Sequence, residues 1–178
     1  MPPPPASASS TRLLYDDALL AQCRWDQFRG PGPGGQKRNK TSNSVRLTHT
    51  PTGVAVTAGE SRSLAENKLR ALRRLRLKLA TDLREPVGLP SFAPPDWFLS
   101  IRRQNRIDAS HRHPLYAAAA GLVLDLLAAL GGNPAAVAVN LGVSTTAVVK
   151  LLEDEPHLWA AANQIRAGAG LKPLQHRR

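Results

Sequence analysis

The side chain that could most clearly take part in a reaction is Gln36, which ends the run Gly30-Pro-Gly-Pro-Gly-Gly-Gln36. Glycine reaches backbone angles that other residues avoid, and proline fixes φ and disfavours the α region for the residue before it. The run therefore predicts a shaped loop that brings its backbone close to a partner. An amide neither titrates nor attacks, so Gln36 can act only by hydrogen bonding and positioning. The nearest histidine, His49, is predicted on a strand, so this chain supplies no general base beside Gln36.

Positive charge surrounds this loop and extends along the chain after it. The 178 residues have a formal net charge of +11, and no Asp or Glu occurs between Asp26 and Glu60. Residues 24–112 contain 18 Lys and Arg against 7 Asp and Glu, whereas the rest of the chain contains 6 of each. Such clustering exceeds what solubility requires and predicts a polyanionic partner, with nucleic acid as the default.

Short strands on both sides of the loop must hold its two ends. Residues 24–28 alternate and predict a strand that leads into the loop, after a short helix capped by Asp16 or Asp17. Residues 44–50 place Val45, Leu47 and His49 on one face. A turn over residues 51–53 then leads to a return strand over residues 54–57. These segments predict a small antiparallel sheet.

A long basic helix is predicted from Ser63, and it gives this half of the chain an α+β architecture. Its apolar stripe is Leu64, Leu69, Leu72, Leu75 and Leu79, with Ala65 and Ala71 close to it. Basic side chains occupy much of the remaining surface. A solvated helix face is the plain interpretation of such a run, but its place beside the loop favours contact with phosphate.

The second half of the chain is predicted to be helical. Residues 84–95 are rich in proline and predict a linker, followed by a short amphipathic segment with Trp97 and Phe98 as core anchors. The Ala- and Leu-rich residues 116–130 predict a helix that is apolar nearly all round and hence buried. Gly131 and Gly132 end this helix.

The segment around Ala138, Gly142 and Val148, with Val137, Leu141, Val143 and Leu151 at core positions, resembles the helix-turn-helix superfamily over about twenty residues. Asn133 and Ser144 are predicted N-caps, Ala138, Gly142 and Val148 occupy the signature positions, and residues 156–167 form a last helix that ends at Gly168. Residues 114–170 carry two basic and four acidic groups. Because phosphate contacts supply much of the affinity for duplex DNA, a docking role is favoured over DNA reading.

The segment around Gln36 resembles the Gly-Gly-Gln domain of class I peptide chain release factors and of the small codon-independent ribosome-rescue peptidyl-tRNA hydrolases. The resemblance covers residues 16–80. Besides Gly34-Gly35-Gln36 it includes Asn39-Lys40, Val45-Arg-Leu-Thr-His49, Pro51-Thr-Gly53 and Arg62-Ser63. Gly-Gly-Gln alone is a weak signal, whereas this ordered set is a strong one.

The resemblance implies that the loop enters the peptidyl-transferase centre of 23S rRNA, where water cleaves the ester between the nascent peptide and tRNA. Gly34 and Gly35 would shape the backbone. The Gln36 N–H would donate to developing negative charge, and its side chain would place the water. These three are the predicted catalytic residues. The residues predicted to bind RNA are Arg29, Lys37, Arg38, Asn39, Lys40, Arg46, Arg62, Lys68, Arg70, Arg73, Arg74, Arg76, Lys78, Arg102, Arg103 and Arg106.

Three features depart from the family pattern. Lys37-Arg38 stand where a non-basic pair is usual. Only 28 residues precede Arg29, so stop-codon reading is not expected. Residues 171–178 contain three Lys and Arg instead of a long basic tail, so the helical bundle is expected to replace that tail.

Other kinds of site fit less well. Gly30 and Gly35 have P-loop spacing, but Gln36 stands where the lysine belongs. A merely flexible loop would leave the ordered motifs unexplained. His111 and His113 form a weak metal pair, and solvated histidines are favoured. Cys23 is alone, which excludes a disulfide framework within the chain. No cofactor or metal is predicted.

We therefore expect a cytoplasmic, monomeric, release-factor-like hydrolase that acts on peptidyl-tRNA and the ribosome and has no membrane segment. The predicted order is a disordered tail (1–10), a catalytic domain (11–83), a linker (84–112), a helical domain (113–170) and a C-terminal tail (171–178). A non-catalytic ribosome- or RNA-binding factor is the main alternative. A helix-turn-helix DNA-binding regulator is the less favoured one.

Overall fold

The structure is a computed structural model and describes residues 13, 16–29 and 43–176. From Asp16 onwards these residues form two compact units, one ending at Leu79 and the other beginning at Ala80. Each unit is described by itself.

The first unit contains a three-stranded antiparallel sheet with the middle strand in the centre. Its elements are α1 (Asp16–Ala21), β1 (Cys23–Phe28), β2 (Ser44–His49), β3 (Ala55–Ala58) and α2 (Leu64–Asp82), of which the last three residues belong to the second unit. The spatial order of the strands is β1-β2-β3. A small antiparallel sheet with helices is the predicted α+β class, which is confirmed.

Strand β2 shows the predicted alternation. Val45, Leu47 and His49 are buried, whereas Arg46 is exposed. The turn to β3 is closed by Gly53, which has a φ of 70° that favours glycine. Cross-strand pairing places Trp25, Leu47 and Val56 side by side.

The buried face of α2 differs from the predicted stripe. Ala71, Leu72, Leu75 and Leu79 are buried as expected. Leu69 is 52% exposed, so placing it in the stripe was wrong, and Ala65, predicted close to the stripe, is also exposed. Buried positions on a helix recur every three or four residues, and the position four before Ala71 is Asn67. Asn67 is fully buried, whereas Leu69 lies two residues, or about 200°, around the helix from Ala71.

The second unit is a helical bundle with a short hairpin. Its elements are a 3-10 turn (Leu89–Ser91), α3 (Asp96–Ile101), β4 (Arg102–Arg103), β5 (Arg106–Ile107), α4 (Tyr116–Ala129), α5 (Pro134–Leu141), α6 (Thr145–Glu153) and α7 (Pro156–Gly168). Helix α4 is central, because eleven of its fourteen residues are buried and it contacts α5, α6 and α7. Phe98 is fully buried, as predicted for a core anchor, and Trp97 is half-buried with its ring edge-on to Phe98 at 5.9 Å.

Residues at the start of the predicted linker are bonded to α4. Arg84 Nη1 lies 3.0 Å from Asp125 Oδ1, and the Glu85 N–H donates to the same oxygen at 3.1 Å. The other guanidinium nitrogen of Arg84 donates to the carbonyls of Ala80 and Thr81, in the last turn of α2. Arg84 therefore connects that turn to the buried carboxylate of Asp125.

The caps between α4 and α6 follow the sequence prediction. Asn133 Oδ1 accepts from the N–H groups of Ala135 and Ala136, and Ser144 Oγ accepts from Ala147 N–H. Gly142 ends α5 with a φ of 65°. Helices α5 and α6 are bent by 112°, and assignment of the pair to the helix-turn-helix class stays a prediction. No single helix in the described part of the chain is long and apolar enough to cross a membrane, and α5 with α6 meets that test only as a bent pair.

Candidate functional site

The glycine-rich loop begins and ends on two paired residues. Phe28 is the last residue of β1 and Ser44 the first of β2, and the two are partners in the antiparallel register. The loop residues Gly34, Gly35, Gln36, Lys37, Arg38, Asn39 and Lys40 lie outside the described residues. The described structure therefore establishes where the two ends of the loop are held.

The returning end of the loop is fixed by a buried asparagine. Asn67 Nδ2 donates to the Asn43 carbonyl at 2.7 Å and to the Ser61 carbonyl at 2.8 Å. Asn67 Oδ1 accepts from Ser61 N–H at 2.9 Å. Asn43 in turn donates through Nδ2 to the Arg62 carbonyl at 2.8 Å. All three bonds of the Asn67 amide thus satisfy backbone groups of the loop end and of the turn before α2.

The same loop end has little space beside it. A Cβ built on Gly59 would meet Oγ of Ser44 and would lie 3.1 Å from its Cβ. Ser44 is buried, and its partner Phe28 lies opposite on β1. Glycine at position 59 is therefore required by the approach of β3 to the start of β2.

His49 cannot serve as a base for the loop, because both ring nitrogens are occupied. Nε2 lies 3.1 Å from Gln22 Oε1, and Nδ1 lies 2.8 Å from Thr52 Oγ1. The amide oxygen can only accept, so Nε2 carries the proton and Nδ1 accepts from the threonine hydroxyl. Burial lowers the pKa of His49, which favours the neutral ring. The histidine that the sequence placed nearest to Gln36 is a structural residue.

Two of the predicted RNA-binding cations lie over aromatic rings of β1. Lys68 Nζ is 4.9 Å from the centroid of Trp25, and the Arg46 guanidinium is 5.7 Å from the centroid of Phe28. Trp25 is 44% exposed, so this cation–π pair is accessible to solvent. Both aromatic rings lie on β1, the strand that leads into the loop, whereas Arg46 lies on β2 and Lys68 on α2.

Three arginines of α2 have acidic partners in the first unit. Arg70 pairs with Glu66 at 2.5 Å, Arg74 with Glu60 at 2.7 Å and Arg76 with Asp16 at 2.7 Å.

These pairs affect the carboxylates and the arginines differently. Hydrogen bonds from Ser61 and Arg70 lower the pKa of Glu66. Burial alone would raise the pKa of Glu60, but the hydrogen bonds from Arg74 and from the Glu60 and Gly59 N–H groups, together with the Arg74 charge, outweigh it, and the net shift is downward. Only 12% of the Arg76 side chain is exposed, so its guanidinium mainly joins α2 to α1.

The remaining predicted cations of this unit are Arg29, Arg62, Arg73 and Lys78, and all four are exposed. Within the described ranges, the side chains of Arg62 and Arg73 form no ion pair. The structure therefore separates Arg62 and Arg73, which are exposed and form no ion pair there, from Arg74 and Arg76, which also hold the fold.

The predicted arginines of the second unit have unequal surroundings. Arg102 Nη1 donates to the Leu141 carbonyl at 3.3 Å, and Arg103 donates to the Ser100 carbonyl at 2.9 Å. Arg106 is exposed.

His113 Nδ1 accepts from Leu115 N–H just before α4. No group of three potential metal ligands occurs among the described residues.

Sequence reasoning missed two buried polar residues, Asn67 and Asp125. Asp125 is the single charged residue of the otherwise apolar α4, and a carboxylate in such a helix is a recognisable signal for a buried partner. Asn67 carried a weaker signal, since an asparagine in the first turn of a basic helix also fits an exposed position.

Comparison with known proteins identifies the first unit and the residues just after it. Residues 19–87 match the RF-1 domain family. Peptide chain release factor 2 of Corynebacterium glutamicum is 49% identical over 59 residues, which are 33% of this chain and 16% of that protein. The same-named protein of Salinispora tropica is 44% identical over 81 residues, covering 43% and 22%. Peptide chain release factor 1 of Parafrankia sp. is 48% identical over 62 residues, covering 35% and 17%.

The matched part is short relative to these proteins, because the chain spans between 16% and 22% of their lengths. The match nevertheless includes the whole sheet, the glycine-rich loop and α2, and so it covers every element that holds the loop ends. Residues 19–87 are thus similar to the RF-1 domain of class I peptide chain release factors, which is the family whose model they match.

Proposed function

We propose that this chain is a release-factor-like hydrolase that cleaves the ester bond of peptidyl-tRNA on the ribosome without reading a stop codon. The RF-1 match over residues 19–87 carries the proposal, because that span contains Gly34-Gly35-Gln36 between strands paired at Phe28 and Ser44. The resemblance to the small rescue hydrolases supports the codon-independent part.

The reaction consists of attack by water on the ester carbonyl carbon and departure of the ribose oxygen of tRNA with a proton. His49 is bonded on both nitrogens, and the amide of Gln36 cannot take a proton from water. Catalysis by this chain therefore rests on hydrogen-bond donation and positioning, with the ribosomal RNA supplying the rest of the site. A well-placed donor to a developing oxyanion contributes about 3–4 kcal/mol, which is a rate factor of about 10²–10³.

The test is single-turnover peptide release from ribosomes that hold peptidyl-tRNA and have no stop codon in the vacant decoding site. Gln36→Ala keeps the backbone N–H but removes the side chain that would position the water, so it should lower the release rate by about 100-fold while ribosome binding is retained. Gln164→Ala removes an exposed glutamine of α7 and is the matched control, which should release at the wild-type rate.

Each part of the proposal would be contradicted by a different experimental result. Release by Gln36→Ala at the wild-type rate, with an unchanged circular dichroism spectrum, would exclude the glutamine mechanism. Wild-type protein that binds the ribosome but releases nothing would support the non-catalytic factor instead. A strong increase of the rate when a stop codon is supplied would overturn only the codon-independent part.

A further inference from the structure

A groove of about 600 Å³ lies in the second unit between the β4–β5 hairpin and α6. Its charged or titratable lining residues are Arg106, Asp108, His111, Lys150 and Asp154. Arg106 comes from the hairpin and Lys150 from α6, so each wall carries one cation, beside the carboxylates of Asp108 and Asp154. This hairpin–α6 groove lies outside residues 19–87, which match the RF-1 family.

Two hydrogen bonds hold the hairpin against the turn between α5 and α6. Arg102 donates to the Leu141 carbonyl at 3.3 Å, and Ser144 N–H donates to the Asn105 carbonyl at 2.8 Å. Ser144 is also the N-cap of α6, so the hairpin is bonded directly to the start of that helix. One side-chain and one backbone hydrogen bond therefore set the relative positions of the chain segments that carry Arg106 and Lys150.

The hairpin supplies positive charge that the helices lack. Residues 102–113 contain four arginines and one aspartate, whereas α6 has one lysine and one glutamate and is followed by Asp154 and Glu155. Arg102 is used internally, but Arg103, Arg106 and Arg112 are exposed. Asp108 is 3.9 Å from Arg103, at the limit of an ion pair. A charge count over the helical segment alone therefore understates how this surface attracts an anion.

We propose that the hairpin–α6 groove binds the phosphodiester backbone of structured RNA. The exposed groups of α6 at this end are the hydroxyls of Thr145 and Thr146 and the ammonium of Lys150, all of which suit phosphate and sugar oxygens. Helix α6 contains no Arg, Asn or Gln, which are three of the residues that make bidentate contacts with base edges in the DNA major groove. Preference for RNA over DNA rests on the proposed ribosomal function, whereas backbone binding rests on the groove itself.

The test is fluorescence anisotropy of the full chain with a labelled RNA stem-loop of about 20 base pairs, measured at several salt concentrations. Arg106→Glu and Lys150→Glu should each weaken binding several-fold. Each should also reduce the slope of log K against log salt by about 1, because one phosphate contact is lost. Lys172→Glu makes the same charge change at another exposed lysine of this unit and is the matched control, with a smaller effect expected.

Lys150→Gln guards against a folding defect, since it keeps a good helix former and should reduce the slope by the same amount. The proposal is overturned if the groove variants are indistinguishable from Lys172→Glu. It is also overturned if duplex DNA of the same sequence binds more tightly than RNA and loses that affinity in Lys150→Glu. Gln36→Ala should bind the stem-loop like the wild type, so this assay and the peptide-release assay can fail independently.

Discussion

Replacement of Asn67 by alanine should destabilise the first unit by about 2–4 kcal/mol. The substitution leaves the Asn43 carbonyl, the Ser61 carbonyl and the Ser61 N–H without their present partner. A buried polar group left unsatisfied costs about 1–3 kcal/mol. Asn43 and Ser61 are only half-buried, so water can reach part of this set, and alanine gains about 0.5 kcal/mol of helix propensity over asparagine. The sum of these effects gives the stated range.

Urea denaturation at neutral pH measures this loss directly as a shift of the midpoint at constant slope. Leu69→Ala is the matched control on the same helix, because Leu69 is 52% exposed and its truncation should cost under about 0.5 kcal/mol. Asn67→Asp is a second variant of nearly the same shape. It keeps the acceptor for Ser61 N–H but turns an oxygen toward two carbonyls, so it should destabilise at least as much as alanine.

Asn67 is also a positioning residue for the loop, since it fixes Asn43 at the point where the loop returns. At a temperature at which both proteins are fully folded, Asn67→Ala should lower the rate of peptide release at saturating protein more than it lowers ribosome affinity. A merely structural role would leave the saturated rate unchanged. A midpoint within error of the wild type would refute the hydrogen-bond argument, and a normal saturated rate would refute the positioning argument.

Two titrations follow from buried groups. Burial lowers the pKa of His49 below 6.5, so as the pH falls the ring is protonated in the unfolded chain before it is protonated in the folded one. The contribution of His49 to stability is therefore lost as the pH falls below about 6.5. His49→Gln should flatten the urea midpoint between about pH 7.5 and 5.5 relative to the wild type, and an unchanged pH dependence would contradict this. Burial, and then the charges of Asp154 and Glu155, raise the pKa of Tyr116 above 10.0, so its contribution is present below about pH 10 and lost above it. The buried hydroxyl of Tyr116 has no hydrogen-bond partner among the described residues, so Tyr116→Phe should raise the free energy of unfolding by about 1 kcal/mol at neutral pH. The same variant should lose less stability than the wild type at alkaline pH. A destabilised variant would reveal a partner for the hydroxyl.

Local sequence patterns were sufficient to predict most elements and several of their ends. Asn133, Gly142 and Ser144 each act through residues within a few positions of themselves, so their capping roles can be predicted from the sequence. The alternation in β2 can also be predicted, because one face of the strand is buried and the other is not.

Long-range polar bonds could not be predicted in this way. Asn43, one partner of Asn67, lies 24 residues from it, and Arg84, one partner of Asp125, lies 41 residues from it, and nothing in the spacing of either residue specifies these bonds. The stripe assignment of Leu69 failed because hydrophobicity outweighed helical phase, although Asn67 lies in phase with Ala71 and Leu69 does not. The glycine-rich loop itself was recognised by its residue types, and its roles stay predictions.

The contact between Arg102 and Gly142 has a consequence for how this chain can evolve. Arg102 and Leu141 are separated by 39 positions, yet the guanidinium that bonds the Leu141 carbonyl also occupies the space that a Cβ on Gly142 would need. A larger residue at position 142 would displace the arginine, and its φ of 65° disfavours such a residue in any case. Position 142 should therefore stay glycine among descendants of this sequence that keep Arg102. An exchange of the helical bundle between related genes should preserve function only when residues 102–107 are transferred with it.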